Sequence, residues 1–324
     1  MKRRHFHLLG TAALAGLAHR PVWAQEWPSK PIRLVLSQPP GSGVDNIARL
    51  IGDHLGKKWG QAIVVENKPG GQNIIGAQLA ARSAADGYNV YFATAAALVS
   101  NAYLFKNLAY DPRKDFVPVA MVAKVPFALL VNPDVPVRNL QQFIARAKAQ
   151  PGKVSLANEG PKTFSGMMSR LFNARAGVDT NLVAYVSVGA AVTDTVGGQT
   201  EALMCDIPSA SQMVKQGRLR AIAVTTAKRV AGWGDVAPLA ETLPGFDFAG
   251  WMAIVAPTGT PEPAIRRFNS DLDAYLRDPE VAARILTIGP ITEGAGPPEQ
   301  LASFLAAEHT RWSQLTQEIG VLPE

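Results

Sequence analysis

Short apolar runs alternate with amphipathic segments along most of this chain. Ile32–Leu36 is a nearly continuous apolar run, which is typical of a parallel strand buried on both faces. The segment after it repeats apolar residues at helical spacing from Ile47 to Leu55, which predicts a helix ending near Gly56 or Gly60. The same alternation then predicts a strand at 63–65, a helix at 74–82 and a strand at 90–93.

The alternation begins again at about residue 126. It predicts strands at 127–131, 154–157, 182–185, 202–205 and 221–225, and helices at 140–149, 167–172 and 190–196. Two long helices follow at 261–277 and 298–319, with too few strands beside them for a third domain.

The resulting prediction is a two-lobed α/β fold, each lobe a mostly parallel doubly wound sheet with flanking helices. The chain would cross between lobes near residues 125 and 250. Lobe 1 would comprise residues 25–124 plus 250–324, and lobe 2 residues 125–249.

The first 24 residues are typical of an export signal. Lys2-Arg3-Arg4 precedes an apolar run, and Val22-Trp23-Ala24 supplies the small residues that a signal peptidase recognises. Cleavage is therefore expected after Ala24, by either a twin-arginine or a Sec route. No later segment approaches the 18 apolar residues of a membrane helix, so we expect a periplasmic protein.

Composition excludes several classes of function. Removing residues 1–24 takes away four cations and no acid, which lowers the formal net charge from +6 to +2 and removes the support for a nucleic-acid groove. The remainder keeps two histidines, His54 and His309, and one cysteine, Cys205, so we expect neither a metal site nor a disulfide-linked partner. It also has no G-x-S-x-G and no phosphate-loop motif, so we expect no hydrolase and no nucleotide cofactor.

Two glycine-rich turns offer a different chemistry. Residues 39–49 and 65–72 each run from an apolar strand through a turn into a helix. Backbone N–H groups at such a turn hold an anion without any charged side chain. Asp45 would repel an anionic ligand directly, so we expect it to organise the first loop instead.

An ordered set of short motifs resembles the extracytoplasmic solute receptors of tripartite tricarboxylate transporters, the Bug family. The resemblance covers essentially the whole mature chain. Its motifs are Trp27-Pro28-Ser29-Lys30-Pro31-Ile32, Pro39-Pro40-Gly41, Glu66-Asn67-Lys68-Pro69-Gly70-Gly71, Ala85-Asp86-Gly87-Tyr88, Tyr110-Asp111-Pro112, Pro151-Gly152-Lys153, Gly197-Gly198-Gln199, Arg229, Trp251 and Ala256-Pro257.

The resemblance implies a monomeric binding protein that closes around a small organic anion and delivers it to membrane subunits. It is not expected to be an enzyme. A signalling module that docks on a sensor protein is the alternative. Carried over from the family, the ligand-binding positions are Pro40, Gly41, Ser42, Gly43, Val44, Thr94, Ala95, Asn158, Glu159, Gly160, Lys162, Thr163, Tyr185 and Asp206.

The second loop departs from the family pattern. Ala157-Asn158-Glu159-Gly160-Pro161-Lys162-Thr163 stands where the family usually has alanine-serine-serine-glycine-asparagine-glycine-threonine, and Gly166 replaces a common histidine. Glu159 and Lys162 could pair locally as a solvated surface pair, or reach the ligand. The hypothesis for Lys162 is that its ammonium meets a second carboxylate or a polar tail of the ligand.

Overall fold

The computed structural model describes residues 27–324, so the predicted leader lies outside the described residues. The first half of the fold alternates strands and helices as the apolar pattern predicts. Its elements are β1 (Ile32–Leu36), α1 (Gly43–Trp59), β2 (Ile63–Asn67), α2 (Ile74–Ala81), β3 (Asn89–Thr94), a π-helical turn (Ala96–Ser100) that continues into α3 (Asn101–Leu104), and β4 (Phe116–Val131).

The second half repeats this alternation and ends in three helices. Its elements are α4 (Leu140–Ala149), β5 (Ser155–Asn158), α5 (Phe164–Ala176), β6 (Asn181–Ala184), α6 (Val188–Val196), β7 (Ala202–Asp206), α7 (Ile207–Lys215), β8 (Arg220–Val224), β9 (Ala249–Pro257), α8 (Glu262–Leu276), α9 (Pro279–Ile288) and α10 (Pro298–Glu318). The sequence analysis did not predict α9, although Asp278 caps it and Pro279 opens it.

The strands follow one another in the order β2-β1-β3-β9-β4-β7-β5-β6, and β8 also pairs with β4. Pairing is parallel within β2-β1-β3 and within β7-β5-β6, and antiparallel wherever β4 or β9 takes part. The expected α/β architecture is therefore present, with a mixed sheet in each of two lobes. We call the lobe that contains β1–β3 the first lobe and the lobe that contains β5–β8 the second lobe.

β4 belongs to both lobes. Its first part, 116–126, pairs with β9, and its second part, 127–131, pairs with β7 and β8. The sequence analysis predicted only the second part, because Pro118 and Pro126 interrupt the first part. Proline is tolerated there because β4 has only one strand neighbour in the first lobe.

The register of β4 places the carboxyl ends of β3 and β7 next to each other. Thr94 at the end of β3 pairs with Met252, which pairs with Ala123 of β4. Asp206 at the end of β7 pairs with Phe127, four residues further along β4. At about 3.3 Å per residue, the carboxyl ends of β3 and β7 lie about 13 Å apart along this strand.

The last long helix, α10, contacts both lobes. Its Trp312 is buried, and its Glu308 Oε2 accepts a hydrogen bond of 3.0 Å from the indole Nε1 of Trp251 in β9. Glu318 receives two hydrogen bonds, of 2.9 and 3.0 Å, from Arg175 of α5. The sequence analysis predicted that the carboxyl end would cover the first lobe; the structure adds this contact with the second.

Shortening a buried side chain of β4 should destabilise the protein. Leu130 is fully buried between Leu203 and Ala221, so Leu130→Ala is expected to lower the free energy of unfolding by about 2–5 kcal/mol. The matched control, Leu322→Ala, removes a side chain that is 78% exposed and should change it by less than about 0.5 kcal/mol. Urea unfolding measures both, and similar losses in the two variants would contradict the packing described.

Candidate functional site

Helices begin at the carboxyl edge of both sheets. α1, α5, α6 and α7 follow β1, β5, β6 and β7, and in each a side chain just before the helix accepts a hydrogen bond from a backbone N–H of the first turn. The capping residues are Ser42, Thr163, Ser187 and Asp206. Because a cap satisfies only one of the first amides, the others and the positive end of the helix dipole remain available to an anion.

The first loop contributes fewer amides than the sequence predicted. Gly41 has a left-handed φ of 81°, and its N–H donates to Asp45 Oδ2 at 2.8 Å. The Ser42 amide is 3.3 Å from the carbonyl oxygen of Pro39, and Pro40 has no N–H. Within residues 27–324 no protein acceptor meets the amides of Gly43 and Val44, so these two are the candidate donors.

Asp45 organises this loop, as predicted. Its buried carboxylate accepts from the amide of Gly41, from Asn67 Nδ2 at 2.8 Å and from Arg49 Nε at 3.0 Å. Burial alone would raise the pKa of Asp45, but the hydrogen bonds from Arg49, Asn67 and Gly41 outweigh it and hold the pKa below its usual value. The loop conformation therefore depends on an ionised Asp45.

Gln38 and Asn73 join the first-lobe loops and were not among the predicted site residues. Gln38 Nε2 donates to Asn73 Oδ1 at 2.8 Å, and Asn73 Nδ2 lies 3.4 Å from Thr94 Oγ1. Asn73 also has a left-handed φ of 75°, an uncommon conformation that is found disproportionately at functional sites. Thr94 thus lies beside the loop after β2, and Ala95 begins the helical segment after β3.

The second loop is held by its own side chains. Asn158 Oδ1 accepts from the Gly160 amide at 2.8 Å, and the Glu159 amide donates to Ser165 Oγ at 3.0 Å. Thr163 caps α5 and donates its hydroxyl hydrogen to the Gly160 carbonyl at 2.8 Å. Gly166 is required by this loop conformation, because a Cβ at that position would lie 1.9 Å from the Gly160 oxygen.

Some backbone amides at the second-lobe edge have no acceptor among the described residues. Part of them belong to residues that the sequence analysis did not predict as site residues. Phe164 and Ser165 begin α5, and Val188 and Gly189 begin α6; the described part of the chain offers no acceptor to their amides. The signal that could have identified them is the capping residue directly before each helix, Thr163 and Ser187.

The side chain of Lys162 contacts residues of the first lobe and does not pair with Glu159. Its Nζ lies 3.1 Å from Glu324 Oε2 and 4.8 Å from the centre of the Phe105 ring. The predicted local pair with Glu159 is therefore not formed. A role at the ligand stays a prediction and requires Lys162 to leave Glu324, whose side chain is 77% exposed.

Glu159 and Asp206 place two carboxyl groups at the ends of neighbouring strands. Burial raises the pKa of both, and the charge of Asp206 raises that of Glu159 further. The Ser209 hydroxyl, 2.8 Å from both oxygens of Asp206, and the Ser209 amide, which donates to Oδ1 at 3.0 Å, partly offset this effect on Asp206. Glu159 Oε2 also lies 3.4 Å from Ser165 Oγ, so this carboxyl group is close to the start of α5.

Tyr185 packs against the second-lobe core. Its amide donates to the Asn158 carbonyl at 2.8 Å, which ties it to the loop after β5. Burial raises the pKa of the Tyr185 phenol, and the neighbouring Asp194 carboxylate raises it further. The hydroxyl thus lies near α6, and its place in the ligand site stays a prediction.

A cavity of about 570 Å³ lies between the lobes beside β4 and β9. Trp251 and Phe304 form an aromatic wall with ring centres 5.4 Å apart, and Lys124, Glu308 and Arg311 line the polar side. None of the sequence-predicted site residues lines it. Its walls come from both lobes, so a change in their relative position would reshape it.

Residues 27–324 hold no group of three or more His, Cys, Asp or Glu side chains placed to bind a metal. Cys205 is fully buried, and this burial holds the pKa of its thiol well above the usual value, so it is not a nucleophile. In the same residues no helix is long and apolar enough to cross a membrane.

Residues 47–321 match the family model described as "Tripartite tricarboxylate transporter family receptor". The chain belongs to this family. Its members are solute-binding receptors, and the expectation that the chain is not an enzyme follows the family. The Bug-family resemblance drawn from the motifs is confirmed.

Relatives and solved structures agree with this assignment. Protein BugT of Bordetella pertussis is 33% identical over 310 residues, covering 95% of this chain and 94% of BugT. The R. palustris protein Rpa4515 with adipate is 28% identical with a TM-score of 0.82, covering 92% of this chain and all of that one. MatC from Rhodopseudomonas palustris with bound malate is 28% identical with a TM-score of 0.75, and the match covers 89% of this chain and 99% of MatC. The two-lobed receptor fold is therefore confirmed.

Neutralising Asp45 should destabilise the receptor in a pH-dependent manner. Because the folded state lowers the pKa of Asp45, its stabilising effect is present at neutral pH and is lost as the pH falls below about 4. Asp45→Asn is expected to lower the free energy of unfolding at neutral pH by about 1–3 kcal/mol. Urea unfolding at neutral and acidic pH should show this deficit shrinking at acidic pH. Asp53→Asn, an exposed change on the same helix, is the control, and a deficit independent of pH would contradict the role of the carboxylate.

Proposed function

We propose that this protein is a periplasmic receptor that binds a small organic carboxylate between its two lobes and delivers it to the membrane subunits of a tripartite transporter. The observation that carries the proposal is a pair of helix starts, one in each lobe, that offer free backbone amides. α1 follows β1 and α5 follows β5, in the two parallel strand sets that β4 and β9 join.

Backbone amides suit a carboxylate because they supply directed donors without a counter-charge. Each helix start contributes about 0.3–1 kcal/mol to an anion, and up to about 2 when partly buried. The Gly43 and Val44 amides add charge-assisted hydrogen bonds. Rpa4515 with adipate and MatC with bound malate support a ligand of this class.

The location and partners follow from the family and the leader. Residues 1–24 direct the chain to the periplasm in this proposal, and the family supplies the transporter as the acceptor of the ligand. Docking on a sensor protein would leave ligand binding unchanged. The carboxylate site can therefore be tested on the purified receptor.

Gly43→Pro tests the first-lobe amides directly. Gly43 is the first residue of α1, and Ser42 before it has extended angles, φ −67° and ψ 160°, so proline fits without strain. The change removes one N–H, and we expect adipate or malate to bind about tenfold or more weakly, in line with the 1.5–3 kcal/mol of a hydrogen bond to a charged group. Isothermal titration calorimetry measures it.

Gly43→Ala is the matched control. It keeps the N–H, and its Cβ would lie 3.6 Å from Ile288 Cγ2, an ordinary contact, so affinity should remain close to that of the wild type. Equal affinities in the proline and alanine variants would rule out the Gly43 amide as a ligand donor. A thermal-shift screen in which no small carboxylate stabilises the wild type would overturn the proposed function.

Lys162 is proposed to meet the distal carboxylate of a dicarboxylate ligand. Its present partner Glu324 is exposed, and such surface pairs contribute about 1 kcal/mol or less, so a ligand can recruit the ammonium. Lys162→Met should weaken adipate binding about tenfold and leave hexanoate binding unchanged. Glu324→Gln, which leaves the ammonium in place, should not weaken adipate. An equal effect of Lys162→Met on both acids would contradict this role.

A further inference from the structure

A second concave pocket, of about 680 Å³, lies on the outside of the first lobe. Its walls are α3, the segment 112–118 at the start of β4, and α10. None of the residues assigned to the ligand site lines it, and its volume is in the range of small-molecule sites, about 300–1,000 Å³. The second lobe contributes no residue to it, so closure of the lobes would leave it accessible.

Arg113 is the one formally charged side chain among the described residues that line this pocket, apart from a histidine. Its Nη2 donates to the Tyr103 hydroxyl at 2.6 Å, and the Tyr103 hydroxyl donates to the His309 carbonyl at 2.6 Å. The two acids that flank Arg113 in sequence are bound to groups other than its guanidinium. Asp111 Oδ1 accepts from the Arg113 backbone amide at 2.9 Å, its Oδ2 lies 3.4 Å from Lys114 Nζ, and Asp115 accepts the Asp111 amide at 2.7 Å.

His309 orients the guanidinium without neutralising it. Its Nδ1 lies 3.4 Å from Arg113 Nη2. Burial and, after it, the charge of Arg113 lower the pKa of His309 to about 4, although Asp111 and a hydrogen bond with the Leu98 backbone oppose this effect. The ring is therefore neutral at pH 7 and acts as an acceptor. The described residues offer no acceptor to Nε and Nη1 of the guanidinium.

The rest of the lining has two parts. Pro112, Phe116, Pro118 and Leu305 give an apolar wall, and Thr310, Ser313 and Gln314 of α10 give a polar rim. An apolar wall with one fixed cation and a few hydrogen-bonding groups matches the usual make-up of a small-molecule site. We propose that this pocket binds a small carboxylate with an apolar body, whose carboxylate pairs with Arg113 and whose body lies against Phe116 and Leu305.

The test uses phenylacetate and hexanoate as probes, with uncharged phenylacetamide as the matched ligand control. NMR of the histidine ring protons of the full receptor reports on His309 directly. Both acids should shift the His309 signal saturably and raise its pKa, because the bound negative charge offsets that of Arg113. Phenylacetamide should do neither.

Two variants of Arg113 distinguish a role in ligand binding from a role in the stability of the fold. Arg113→Met should weaken phenylacetate about tenfold or more, and Arg113→Lys, which keeps the charge without the planar fork, should have an intermediate effect. Arg113 is exposed, so thermal unfolding of both variants should stay close to that of the wild type. Gly43→Pro, which removes a donor of the cleft, should leave this second site intact.

Three outcomes would overturn the proposal. They are the absence of a saturable His309 shift with either acid, an equal shift with phenylacetamide, and undiminished binding to Arg113→Met. Because the readout is at His309, this result is independent of whether the cleft binds adipate or malate.

Discussion

The continuity of β4 through both lobes is the constraint on which the rest of the structure depends. One strand pairs with β9 up to Pro126 and with β7 from Phe127 onward, so the ends of the two parallel sets cannot separate along it. The return crossing is fixed beside it, where the Phe248 amide donates to the Thr225 carbonyl at 2.8 Å. The two chain crossings therefore lie side by side, an arrangement found at the hinges of proteins that close around a ligand.

Within that frame, the proposed affinity for an anion derives from backbone dipoles rather than from charged side chains. The ionised Asp45 occupies the Gly41 amide and is itself offset by Arg49, so the loop is rigid and locally neutral. What remains is the start of α1, where the Gly43 and Val44 amides have no acceptor among residues 27–324. Dipoles of this kind add about 1 kcal/mol each, and selectivity among carboxylates must come from the side chains around them.

Glu159 and Lys162 are the side chains by which the second loop departs from the family pattern. Glu159 lies near Asp206, and burial raises the pKa of both carboxyl groups, while Lys162 pairs with Glu324. Gln38 and Asn73 are joined by a hydrogen bond of 2.8 Å in the first lobe. The Arg113 pocket adds a cation on the outer surface, away from the cleft.

Local sequence patterns were enough to predict most of the helices and strands, the family, and the role of Asp45 in the first loop. Apolar periodicity and capping residues act over a few positions, so β1, α1, α4 and the role of Asp45 could be read locally. Tertiary structure alone decided that 116–126 is a strand despite its prolines, that Gly41 donates to Asp45, that Lys162 pairs with Glu324 and that Arg113 meets His309. All four features depend on the surroundings that the folded chain provides. Most of them join residues that are far apart in the chain, so no local sequence pattern specifies them.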